Sequence, residues 1–199
     1  MTNDLILASA SPTRAALVAA AGLAFRVEPA AIDEISLKRT FRTQGRSAGD
    51  CALALAGAKA RWVSGRNGNA LVIGADQILV CDGVWFDKPS DLCEARSQLR
   101  ALRGRSHELV TAVCAVQTGT LLWHNLRRPQ LKMRGFSDNF LDHYIAAEGE
   151  SLLGSVGAYR LEGRGVQLFE HIDGDHFAIL GLSLVELLGF LRDRGEIPS

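Results

Sequence analysis

Asp76 stands inside the apolar run Leu71–Cys81, LVIGADQILVC. A run of this kind reads as a core strand. A carboxylate buried there must be paired, solvated in a cleft or bound to a metal, because an isolated buried charge is very costly. Asp82-Gly83 follows as a two-residue hairpin signal. The return strand would bring Lys88 back towards the level of Asp76. Residues 71–89 thus offer an acid and a base at one end of a sheet, beside Gly74 and Pro89. A structural strand whose Asp faces solvent is the competing reading.

A second candidate lies at the start of the chain. LILA, residues 5–8, is a short buried strand that runs into Ser9-Ala10-Ser11-Pro12 and then TRAALVAAAG, a helix. Ser11 suits the N-cap, Pro12 the first helical position and Gly22 the C′ position. A strand feeding a helix N-terminus across a serine-rich turn is a ready anion site, because free N–H groups and the helix dipole face the ligand. Arg14 in the first turn is unfavourable for the dipole, and a bound phosphate would reverse that penalty. An ordinary strand-to-helix connection with a solvated Arg is the alternative.

Other elements must position these groups. Residues 25–32 read as a second strand, ending at the carboxylate pair Asp33-Glu34, a combination that metal sites and solvated loops both use. Residues 38–49, with Lys38, Arg39, Arg42 and Arg46, read as a mobile loop or irregular helix start. Ser47 caps a helix from Ala48 to about Val63. On it Lys59 either snorkels to solvent or reaches an anion. Ser90 caps the next helix, which ends at Gly104. A strand over 107–117 turns at Thr118-Gly119 into a longer strand pair over 120–134. Ser137 caps a helix that runs to Gly149. Residues 150–165 are Gly-rich and irregular, 166–172 a strand, and 182–192 an amphipathic final helix. Strands and helices alternate without a regular count, so the class is α/β or α+β with a mixed sheet.

Length and composition narrow the possibilities. A chain of 199 residues suits a single domain, 1–199, with up to two lobes. The 22 basic and 22 acidic side chains cancel, so no overall field favours nucleic acid or an anionic membrane, and an anionic substrate needs a local cluster. Cys51, Cys81, Cys93 and Cys114 form no C-x-x-C pair, which argues against zinc and a disulfide framework and for buried thiols in a reducing cytoplasm. His107, His124, His143, His171 and His176 lack metal-ligand spacing and read as structural or solvated. The N-terminus does not read as a signal peptide. Glu186 interrupts the last apolar run, which is therefore no membrane span.

Several stretches, in order, resemble the Maf-like family, which comprises septum formation inhibitor Maf and nucleotide pyrophosphatases. LASASPTRAAL resembles its opening L-A-S-x-S-P-x-R-x-x-L, Asp33-Glu34 its D-E pair, and Lys59-Ala60 its K-A helix motif. GADQ with the later D-K-P resembles G-A-D-T/Q followed by G-K-P. VGAYRLEG resembles A-G-A-Y-x-I/V-Q/E-G, and GLSL resembles G-L-P-L. The resemblance implies a mixed twisted sheet with flanking helices, in two lobes around a cleft, as in inosine-triphosphatase-like proteins. It implies hydrolysis of nucleoside triphosphates to the monophosphate and pyrophosphate with a divalent cation, Mg, Mn or Co, in the cytoplasm. Carried across, it makes Asp76 the proton acceptor, Glu34 and Asp76 the metal set, and Ser9, Arg14, Lys59 and Lys88 the phosphate set. A homodimer is compatible with it. Neither nucleic acid nor membrane is an expected partner.

The sequence also departs from the pattern. Thr13 stands where many members have a first arginine, Asp87 where the Gly before Lys-Pro is usual, Gly154-Ser155 where Asp-Lys is usual, and Ser183 in place of Pro. Asp87 sets a negative charge beside Lys88. Thr13, Gln77 and Glu162 together resemble the branch that prefers 7-methyl-GTP. A carboxylate accepts well from the paired N1–H and N2–H₂ of guanine, and a 7-methylated ring is cationic. Glu162 as a solvated residue on a Gly-rich loop is the plainer alternative. A nucleotide-binding regulator of cell division with little turnover is the competing function, although a pure binder has no need of Glu34 and Asp76 facing a triphosphate.

Overall fold

The computed structural model of the chain describes residues 4–198. In chain order the elements are β1 (Leu5–Leu7), α1 (Pro12–Ala20), β2 (Arg26–Val27), α2 (Glu34–Thr43), α3 (Ala48–Ser64), β3 (Leu71–Cys81) and β4 (Val84–Phe86). There follow α4 (Leu92–Leu102), β5 (Ser106–Gln117), β6 (Thr120–Arg127), β7 (Gln130–Met133) and α5 (Asp138–Glu148). Three 3-10 stretches, Gly149–Gly154, Val156–Ala158 and Arg164–Leu168, lead to β8 (Phe169–Asp173), α6 (His176–Ile179) and α7 (Leu184–Asp193). Strand order is β2-β1-β3-β5-β7-β8, with β4 on β3 and β6 on β5. β1 pairs in parallel with β2 and β3, and the remaining described pairings are antiparallel. The sheet is therefore mixed and the class α/β, as expected.

The chain forms two compact units. One comprises Met1–Gln77, Thr111–Arg127 and Asp175–Ser199, the other Ile78–Val110 and Arg128–Gly174. The division falls inside β3 and β5.

In the first unit, side-chain alternation along β3 decides what each residue meets. Leu71, Ile73 and Ala75 join Leu7, Val18 of α1 and Leu184, Leu187 and Leu191 of α7 in one buried cluster. Val72 joins Ile6, Ala8 and the α3 residues Ala60 and Val63 in another. Successive strand residues point to opposite faces. Even-numbered residues of β3 therefore face α3, and odd-numbered ones face α1 and α7.

The local signals for α1 and α3 hold. Ser11 accepts from the backbone N–H of Arg14, and Ser47 from that of Asp50. The expected strand over 25–32 shrinks to Arg26–Val27. The ladder stops after the Glu28 N–H reaches the Leu7 carbonyl at 3.1 Å, and Pro29 then offers no donor to extend it. The stretch 38–49, expected as a mobile loop or irregular helix start, is mostly regular helix. Asp33 caps α2 by accepting from the Ser36 N–H at 3.0 Å, and Glu34 sits in the first turn, where the helix dipole favours an acid. Its many polar residues obscured it, since α2 buries no side chain fully.

In the second unit, Asp82 and Gly83 both take positive φ, 49° and 79°, as a type I′ hairpin turn demands. Asp91, not Ser90, caps α4, while Ser90 donates through both N–H and hydroxyl to Glu94. The strand expected from 166 begins at Phe169, because Arg164–Leu168 coils into a 3-10 stretch. His107 is buried against Tyr159 and Phe169, with Nε2 2.9 Å from the Tyr159 hydroxyl. That burial pushes the imidazole down to about 4 and the Tyr159 phenol up. Cys51, Cys81 and Cys114 are buried thiols, but Cys93 is exposed on the outer side of α4.

Back in the first unit, the final helix starts at Leu184, two residues later than expected, because 182–183 serve the turn after α6.

Candidate active site

Glycine brings the first pair of groups together. A Cβ on Gly74 would lie 2.1 Å from the Ala56 carbonyl oxygen and 3.0 Å from the Ala60 Cβ. Only hydrogen fits where α3 crosses β3. That close approach, between Ala60 on one side and Gly74 on the other, lets Lys59, just before Ala60, meet Asp76, two residues after Gly74. Lys59 Nζ donates to Asp76 Oδ1 at 2.7 Å, and both side chains are buried. Asp76 faces α3 because it shares the even-numbered side of β3 with Val72 and Gly74. The same ammonium lies 3.0 Å from Glu34 Oε1, at the head of α2. Asp76 Oδ2 is buried with no hydrogen-bond partner.

Ser9 and Arg14 form the adjoining wall. Ser9 is 5% exposed, and its Oγ accepts from the Ser11 N–H at 3.3 Å and from Arg14 Nη1 at 3.1 Å. A hydroxyl has two acceptor lone pairs and one donor hydrogen, so the Ser9 O–H remains for an anion. Arg14 turns inward. Nη1 also donates to the Ala75 carbonyl at 3.0 Å, and Nε donates to the Gly181 carbonyl at 2.8 Å. Burial lowers the Arg14 pKa, while the charges of Asp76 and Glu34 oppose that shift. The arginine is therefore a brace for the middle of β3 as well as a local positive charge.

The remaining expected site residues are Thr13, Gln77, Lys88 and Glu162. Gln77 is next to Asp76 but faces the opposite side of β3, towards α6. Thr13 follows Pro12 in the first turn of α1 and is half-buried. Lys88 and Glu162 belong to the second unit. Lys88 is exposed beyond the last paired residue of β4, and Glu162 lies in the turns after Tyr159, with Oε1 3.4 Å from Arg160 Nε. Residues 9, 14, 34, 59 and 76 thus gather in the first unit. The sequence reading missed Thr111, a fully buried hydroxyl in the apolar strand β5. The signal was the one that singled out Asp76, a polar residue inside an apolar run.

The carboxylates fit a hard cation in one specific way. Asp76 Oδ2 and Glu34 are oxygen donors, one of them buried without a partner. Among the described residues no cluster of three or more His, Cys, Asp or Glu exists, so the protein alone offers no complete cage. Magnesium-like ions are commonly held by one or two carboxylates, with waters and substrate phosphates completing the shell. Lys59 already balances the two acids in part. A polyphosphate approaching them needs further positive charge.

The chain resembles known sequences over nearly its whole length. A family model described as Maf-like protein matches residues 4–194. A protein of Granulibacter bethesdensis named nucleoside triphosphate pyrophosphatase is 53% identical over 188 residues, 94% of this chain and 95% of that one. One of the same name from Paramagnetospirillum magneticum is 50% identical, covering 96% and 99%. A Rhizobium meliloti protein named 7-methyl-GTP pyrophosphatase is 48% identical, covering 98% of each. A family match over nearly the whole chain, with relatives at this identity, leaves one conclusion: the chain belongs to the Maf-like family.

Proposed function

We propose that this protein hydrolyses nucleoside triphosphates to the nucleoside monophosphate and pyrophosphate. The observation that carries the reading is the buried Lys59–Asp76 pair, which has one carboxylate oxygen free of partners and Glu34 on the same ammonium. In the proposed reaction a water oxygen attacks the α-phosphorus, and the bond from that phosphorus to the α–β bridging oxygen breaks. Pyrophosphate leaves with the bond's electron pair. Asp76 Oδ2 accepts the proton of the attacking water. The Ser9 hydroxyl donates to a non-bridging oxygen, and Arg14 and Lys59 supply positive charge along the polyphosphate. Phosphoryl transfer depends mainly on such positioning and electrostatics.

Asp76 and Glu34 are the residues that would hold a divalent cation. Such an ion, when bound, would neutralise polyphosphate charge and polarise a phosphoryl oxygen as a Lewis acid.

Modified guanine triphosphates such as 7-methyl-GTP are the favoured substrates in this reading. The support is Glu162, a carboxylate on a Gly-rich loop, and the names of relatives in two Rhizobium species at 45% and 48% identity. The test is a pyrophosphate-release screen over canonical and modified triphosphates with Mg²⁺, Mn²⁺ and Co²⁺. The expected result is cation-dependent pyrophosphate with 7-methyl-GTP ahead of UTP and dTTP. Release of orthophosphate instead would overturn the bond assignment, and no release at all would overturn the activity.

A further inference from the structure

The Gln77 amide nitrogen faces three acceptors. This atom, Nε2, lies 2.8 Å from Thr111 Oγ1, 3.0 Å from the Ala178 carbonyl and 3.0 Å from the Ile179 carbonyl. Thr111 donates its single hydrogen to the Ala178 carbonyl at 2.8 Å, so towards Gln77 it can only accept. A flipped amide would set its oxygen against two carbonyls. The network therefore decides the orientation, and both amide hydrogens are committed to protein.

The partners of Gln77 belong to one short segment. Asp175 caps α6, accepting from the Phe177 and Ala178 N–H groups. The helix ends in a Schellman turn, with Gly181 N–H on the Ala178 carbonyl and Leu182 N–H on the Phe177 carbonyl, each at 3.0 Å. Gly181 takes φ +94°, and a Cβ there would lie 3.1 Å from Arg14 Nε. The turn thereby brings the carbonyls of 178, 179 and 181 within reach of β3 and α1, that of 178 while it also accepts from the Gly181 N–H. Gln77 grips the first two, and Arg14 grips the third. Arg14 also holds the Ala75 carbonyl. The residues on either side of Asp76 are thus fastened to the same segment, on the face of the strand away from Lys59.

We propose that Gln77 and Thr111 are positioning residues that, through residues 175–182, hold Asp76 in line with Lys59. The pattern is hard to explain as packing alone, since an apolar side chain at either position would pack against α6 without polar groups that need partners. Position 77 then influences turnover from behind the strand, not by touching the base. This proposal rests on the pyrophosphatase reading.

The test compares wild type with Thr111→Val, Thr111→Ser and Gln77→Met, each shown by circular dichroism to be fully folded at the assay temperature. Thr111→Val and Gln77→Met should lower kcat roughly tenfold with KM unchanged, and Thr111→Val should also leave the ratio of 7-methyl-GTP to UTP rates unchanged. Thr111→Ser should restore kcat. A folded Thr111→Val with wild-type kcat, or one that changes the substrate ratio at unchanged kcat, overturns the proposal. A wild type without pyrophosphate release overturns the activity reading instead. Should either variant fail to fold, amide exchange in ¹⁵N-labelled wild type decides. Gln77 carboxamide protons slower by tenfold or more than those of an exposed glutamine support the clamp. Exchange as fast as an exposed glutamine removes it.

Discussion

Lys59 Nζ lies 2.7 Å from Asp76 Oδ1, with helix and strand pressed together where Gly74 leaves no room for a side chain. Seventeen positions separate the two residues. Two consequences follow from burial. The pair meets little competing solvent, and breaking it from one side leaves a charge without its partner.

Asp76→Asn keeps the shape of the side chain and leaves Lys59 its contact with Glu34. Pyrophosphate release should fall by on the order of a hundredfold or more, with the circular dichroism spectrum unchanged. Near-normal turnover would remove Asp76 from the mechanism.

Lys59→Met takes away the ammonium and keeps the length. Losing one partner of a buried pair typically costs about 3–5 kcal/mol, and urea unfolding should show a loss of that order. Adding Asp76→Asn to the same chain should recover part of it, because no buried carboxylate then remains unpaired. A double variant less stable than Lys59→Met would count against this account.

Gly74→Ala inserts a methyl group 2.1 Å from the Ala56 carbonyl. Overpacking of this kind costs roughly 1–3 kcal/mol, which for a chain of this size lowers Tm by several degrees. Turnover should fall more than stability explains, since α3 must withdraw and carry Lys59 with it. Calorimetry together with kcat on the folded variant separates the two effects.

Glu162→Gln exchanges an acceptor-only group for one that also donates. The variant should lose roughly tenfold in kcat/KM for 7-methyl-GTP relative to UTP and dTTP, the size expected for one polar contact. Competition assays with mixed triphosphates measure the ratio directly. An unchanged ratio would place base recognition elsewhere.

His107 links stability to acid pH. Its folded-state pKa is depressed from 6.5 to about 4 by burial. The unfolded chain therefore takes up a proton that the folded chain does not as pH falls through 6.5. Stability from this group is complete above about pH 6.5 and is lost progressively towards pH 4, to a total of roughly 3 kcal/mol. Denaturant midpoints at pH 7.5, 6 and 5 should fall in that order for wild type. His107→Gln should flatten the dependence.

Local order was largely legible in the sequence. Ser11 with Pro12, Ser47 and Ser137 announced helix starts, and Asp82-Gly83 and Thr118-Gly119 announced turns, because caps and turns act within a few residues of themselves. Local rules failed where two of them competed. Asp33 was legible as one of two acids but not as the cap that makes 34–43 a helix. Pro29 ended a strand whose neighbours favoured it.

The candidate site divides along the same line. Sequence alone singled out Asp76, because a carboxylate in an apolar run has to be explained, and motif order added Ser9, Arg14, Glu34, Lys59 and Lys88. It did not say which of them meet. That was decided by tertiary structure. Side-chain alternation on β3 sends Asp76 to α3 and Gln77 to α6, so adjacent residues acquire unrelated partners. Gly74 sets how near α3 can come, and the Schellman turn at Gly181 sets where the carbonyls of α6 point. Contacts between Arg14 and Gly181, 167 positions apart, depend on the packing of whole elements, and no local pattern of residue types records them.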